Sequence, residues 1–208
     1  MDVHKKDIAK LMLSAKELDV VNNIDWILTK QKITNKVIEH FALVSQQMVN
    51  NVDANIECLP NIILKHPPKI AKGENYLQLP YIMLDYPRVF YKNDAFAVRT
   101  FFWWGNHISM HLLLSGKYKQ QYQAKIMYQM PYLQQHQFFI CVHQSEWQHH
   151  FNDDNYMPIQ YMDGGTITDI IMNKNFIKMA KKIPLLQWEN FDDFFDTTFK
   201  QMLHILCT

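Results

Sequence analysis

Within the stretch SEWQHHFNDDNY, residues 145–156, one acid, two adjacent histidines and two adjacent aspartates fall close together. On a helix, Glu146, His149, His150 and Asp153 would share one side, and Glu146 with His149 has the Glu-x-x-His spacing of carboxylate-bridged metal proteins. Those sites need a second Glu-x-x-His and further glutamates, and the chain has no second one. A mononuclear alternative remains, built from His149, His150 or Asp153 with Glu146, His143 or His107, and would serve a metal-dependent hydrolase or oxygenase. The competing reading is a polar loop, because neighbours such as His149 and His150 diverge by about 100° on a helix and point to opposite faces of a strand.

The second candidate is the arginine pair. The chain uses 19 lysines but only two arginines, Arg88 and Arg99. Hairpins symmetric about KND and GN set Arg88 opposite Arg99, Trp104 opposite His107 and Thr100 opposite His111. Tyr86, Phe90, Phe101 and Trp103 then share the arginines' face. Two guanidinium groups side by side call for an anion between them, and their planar forks suit carboxylate or phosphate. An internal salt bridge to Asp85, Asp94 or an acid of the last helix would serve as well. A one-residue slip of register would exchange the faces.

His107, Ser109 and His111 form a third group on one strand face. The two histidines lie roughly 13 Å apart, too far to chelate one ion together. Cys141 and His143 also share a face, but an i, i+2 pair stands outside hydrogen-bond reach for thiol activation.

The elements that carry these residues are legible as an α+β pattern. Ser14 and Glu17 make a capping box for a short helix that Asn22 and Asn23 end. Asp25 then caps a helix to about Val52, striped by Ile33, Val37, Phe41, Val44 and Met48. LPNIILKHPPKIAKGEN reads as a surface loop. From Tyr76 onward β-branched and aromatic residues predict a meander to Ser115, then a helix stopped near Pro131, a strand QFFICVH and a short strand NYMPIQYM. DGG reads as a turn and ITDIIMNKNFIKMAKKI as one or two helical segments. A last helix carries the stripe Trp188, Phe191, Phe195, Phe199, Met202 and Leu206. The expectation is one domain over residues 1–208: a helical section to 55, a predominantly antiparallel sheet over 76–145, and C-terminal helices over 166–208 packed on it.

Composition excludes whole classes. The net charge of +1 gives no field for nucleic acid or an anionic membrane. Five glycines, none in a phosphate-loop pattern, argue against dinucleotide and NTP sites, and no Gly-x-Ser-x-Gly occurs. MDVHKKDIAKLMLSAKELD holds no apolar run long enough for a signal peptide or a membrane span. Three scattered cysteines suggest free thiols and the cytoplasm, and the lysine, asparagine and isoleucine usage resembles that of an AT-rich bacterial genome. The residues name no cofactor. The leading expectation is a binding or interaction protein with an aromatic-lined pocket and an anion contact, whose partner is an anionic small molecule or a protein. The metal enzyme and a homo-oligomeric structural subunit are the alternatives.

Overall fold

A computed structural model describes residues 11–208. The chain divides into two compact units, Met1–Glu39 and His40–Thr208. In the first, α1 (Ala15–Asn22) begins at the expected capping box: Ser14 Oγ accepts from Glu17 N at 3.3 Å and Glu17 Oε2 accepts from Ser14 N at 2.7 Å. Helix α2 (Ile24–Ala54) belongs to both units. Its cap is Asn23 rather than the expected Asp25, since Asn23 Oδ1 takes the Trp26 amide at 2.9 Å.

The second unit is α+β. Seven strands, β1 (Lys69–Tyr76), β2 (Leu79–Phe90), β3 (Ala95–Trp103), β4 (His107–Ser115), β5 (Phe139–Cys141), β6 (Tyr156–Pro158) and β7 (Phe176–Pro184), pair in the order β1-β2-β3-β4-β7-β5-β6. Every pairing is antiparallel. The helices are α3 (Gly116–Tyr128), α4 (Met130–Gln135), α5 (Gly164–Asn173) and α6 (Phe191–Cys207). On one face Phe96 meets the rings of Tyr118 and Tyr122 of α3, and Phe102 meets Trp188 just before α6. Phe191 and Phe195 of α6 also contact Phe41 of α2, so the predicted stripes are the core seams of this face.

Three elements differ from expectation. The proline-rich stretch is not all loop, because it supplies β1, which turns into β2 through Leu77 and Gln78, both at positive φ (48° and 67°). Positive φ is a hairpin conformation usually taken by Asn or Gly, so Leu-Gln gives no sequence signal. FIKMAKKIP is strand β7 rather than helix, with Ile177 and Met179 buried between β4 and β5. The cysteines are not all free: Cys58 and Cys207 are joined by a disulfide, with Cα atoms 5.2 Å apart, while Cys141 is a buried thiol. No helix among the described residues is long and apolar enough to cross a membrane.

The register also departs from simple symmetry. Asp85 pairs with Arg99 while Arg88 pairs with Ala97, so Tyr86 and Pro87 together oppose one residue of β3. That bulge reverses the face order of β2 beyond it. The β3–β4 register is one residue away from the symmetric one: Trp103 faces His107, and Arg99 faces His111.

Candidate functional site

The face of the sheet opposite the helices is covered by the loop 142–155, which contains Glu146, His149, His150 and Asp153. The loop has no helix, so Glu146, His149, His150 and Asp153 do not line one helical side. Two ties hold it down. The Tyr76 hydroxyl accepts the amides of His149 and His150 at 2.6 and 3.1 Å, and Asn155 Oδ1 takes the Cys141 thiol at 3.4 Å. His149 and His150 are thereby buried, while Asp153 and Asp154 stay exposed.

Under the loop runs a line of polar side chains. Arg99 makes a bidentate pair with Asp85, Nε to Oδ1 at 2.7 Å and Nη2 to Oδ2 at 2.8 Å. Its Nη1 lies 3.1 Å from His149 Nε2. His149 Nδ1 lies 3.2 Å from Nζ of Lys178, which also donates to the carbonyls of Glu146 and Gln148 at 2.7 and 2.5 Å. Arginine only donates, so Nε2 of His149 must be the acceptor and the proton of the neutral ring sits on Nδ1. That proton points at Nζ, which must then accept it. An ammonium has no lone pair, so the line closes only with Lys178 as a neutral amine: two hydrogens to carbonyls, one lone pair to His149. Burial agrees, because Lys178 is 2% exposed with no carboxylate in ion-pair contact among the described residues, and desolvation brings its pKa down to about 7. Burial also holds His149 well below the usual imidazole range.

A second line is closed. Ser109 Oγ and His111 Nε2 are 2.8 Å apart, and His111 Nδ1 and the Tyr156 hydroxyl are also 2.8 Å apart. The order resembles a serine nucleophile, base and orienting group, but a phenol stands where a carboxylate would stabilise an imidazolium. Burial drives Tyr156 well above and His111 well below their ordinary values, so both stay neutral. Ser109 is 0% exposed and out of reach of any substrate.

The predicted residues fall as follows. Arg88 and Arg99 are not partners: Arg88 Nε donates to the Pro67 carbonyl at 2.6 Å, and Arg99 is neutralised by Asp85, the salt bridge weighed as the alternative. Tyr86 sits on the bulge, where burial and Asp53 raise its hydroxyl pKa. Phe101 and Trp103 are buried and pack against Tyr76, with ring centroids 5.4 and 5.1 Å away, instead of walling an open pocket on an arginine pair. Of the metal set, His149 is held between Arg99 and Lys178, and His143 Nδ1 accepts the Ser145 amide at 2.9 Å. Asp153 is in solvent. His107 is buried with Nε2 unpartnered and its pKa pushed down to about 4 by burial and then by Lys182. Among the described residues, no three His, Cys, Asp or Glu side chains converge to hold a metal ion. Burial raises the Cys141 thiol, so the Cys141 and His143 pair supplies no thiolate.

What the sequence reading missed is an open cleft of about 600 Å³ between the β2–β3 turn, the start of α3, the loop and the α5–β7 turn. Its charged lining is Lys92, Lys119 and Lys174 against Glu146, with amides from Gln120 and Gln123. Lys119 and Lys174 brace the wall: the first donates to the carbonyls of Met172 and Lys174, the second to those of Val142 and His143. At its rim Trp147, 50% exposed, lies against Phe90 with centroids 6.0 Å apart. Phe90, Glu146 and Trp147 also line an inner cavity of about 10 Å³, walled by Arg99, His149 and Lys178. That is room for about one water molecule.

No protein-family model, no curated protein and no solved structure matches this chain.

Proposed function

We propose that this protein binds a small, polar, anionic molecule in the cleft beside Trp147. The observation that carries the reading is the cleft itself: about 600 Å³, within the size range of ligand pockets, lined by three lysines against one glutamate. Side-chain amides offer paired donors and acceptors, and the faces of Trp147 and Tyr91 offer apolar contact. The anion contact thus moves from the arginine pair to lysines. A bacterial source is supported by composition. The cytoplasmic placement loses the part of its support that rested on free cysteines, since Cys58 and Cys207 are bridged.

The test is thermal unfolding at constant ionic strength with citrate, glucose 6-phosphate or glucose. A saturable rise in Tm with an anionic compound, at least halved in Lys92→Gln, supports the reading. Equal shifts in wild type and variant, or none with any compound, would refute it.

Self-association is a second reading, favoured by the first unit. Helix α1 buries no residue, and Leu18, Val20, Val21, Ile24, Trp26 and Ile27 are all exposed. Sedimentation showing a monomer across the concentration range would remove it.

A further inference from the structure

We propose that Lys178 is a carbonyl-capturing amine, which forms an imine with an aldehyde held in the cleft. The inference rests on the cleft being a ligand site and adds the chemistry done at its inner end. Three observations converge on it. The cleft and the inner cavity share Phe90, Glu146 and Trp147, so the Trp147 indole with its neighbours is what divides an outside ligand from the cavity that Lys178 lines. The hydrogen-bond pattern around His149 requires the free-base amine, the form that attacks a carbonyl. Two of the three contacts of that amine are the carbonyls of Glu146 and Gln148, the residues on either side of Trp147. Withdrawing Trp147 outward therefore opens the path and loosens the two N–H contacts, leaving the lone pair to turn from the His149 Nδ1–H toward the carbonyl carbon.

The size of the inner cavity sets the class of ligand. With about 10 Å³ beside the amine, a terminal aldehyde carbon is the part that reaches it, while the rest of the molecule stays in the cleft against Lys92 and the amides. In the reaction the Nζ lone pair leaves the His149 Nδ1–H and forms the C–N bond as the carbonyl π pair moves to oxygen. The carbinolamine then loses that oxygen as water, carrying both amine hydrogens with it, and the C=N bond is left. No oxidant or reductant takes part. Burial, which lowers the affinity of Lys178 for a proton to near neutrality, keeps a large free-base fraction in the folded protein.

The experiment is reductive trapping of the full-length protein at pH 7 with glyoxylate and cyanoborohydride, mapped by peptide mass spectrometry. The expected result is Lys178 modified ahead of the other lysines of a 19-lysine chain. Trp147→Ala should label about tenfold faster, the factor given by about 1.4 kcal/mol off the barrier. Label spread over exposed lysines, with Lys178 unmodified in native wild type, overturns the proposal without any variant having to fold. Citrate raising Tm while Lys178 stays unlabelled retains the cleft and rejects the imine. Propionaldehyde labelling Lys178 as fast as glyoxylate retains the imine and rejects the anionic reading of the cleft.

Discussion

The two faces of the sheet in the second unit solve burial by different means. Toward the helices, Phe96, Phe102, Met110, Leu112 and Met179 are buried, with Phe96 against Tyr122 and Phe102 against Trp188, and apolar area does the work at about 25 cal/mol per Å². Toward the loop 142–155, the same strands present Arg99, Ser109, His111 and Lys178, and burial is tolerated only because each finds a partner. One face is predominantly apolar. The other is a set of titratable groups held in their neutral forms, apart from the Asp85–Arg99 pair, and it is the face that abuts the cleft.

Acid should separate the faces by the largest margin. His107, His111 and His149 have folded pKa values below that of a free imidazole, so the unfolded chain takes up protons first as pH falls. The histidines' contribution to stability is full above about pH 6.5 and is lost below it, by about 2 kcal/mol at pH 5 for His107, with further loss from His111 and His149. Urea titrations at pH 7 and pH 5 measure this. A difference under about 1 kcal/mol would mean that the rings are not held neutral.

Truncation compares the faces next. Phe199→Ala should cost about 3 to 5 kcal/mol, equally at both pH values. Asp85→Ala should cost a similar 3 to 5 kcal/mol, because it strands the Arg99 charge in the interior. The double change Asp85→Leu with Arg99→Met should cost less than Asp85→Ala alone. If it costs more, the pair stabilises in its own right. A smaller effect belongs to the helical face, where Cys58→Ser should remove about 2 to 4 kcal/mol, and a reductant should match it.

The same contrast decides what could be read from the residues alone. The helical face was legible: Phe41, Val44 and Met48, and Phe191, Phe195 and Phe199, repeat at helical spacing because apolar packing imposes a period. Turns at KND and GN were legible through their chemistry. The polar face was not, because its geometry depends on one bulge. Tyr86 and Pro87 shift Arg88 away from Arg99 and bring Asp85 to it, and no local pattern announces a bulge. Lys178 was hidden among 19 lysines, and its alternation with Ala180 and Lys182 is a strand signal that the helix reading of FIKMAKKIP overrode. His149 was singled out for its spacing to Glu146, whereas its partners Arg99 and Lys178 come from strands distant in the chain. The Glu146 contribution is its backbone carbonyl, which composition cannot reveal.

The imine chemistry proposed at the inner end of the cleft turns on the line from Arg99 through His149 to Lys178, and NMR with labelled lysine and histidine reads it directly. The account predicts that the Lys178 amine titrates near pH 7 and that neutral His149 carries its proton on Nδ1. A Lys178 midpoint near 10.5, the ordinary value for an exposed lysine, with the His149 proton on Nε2, would contradict it.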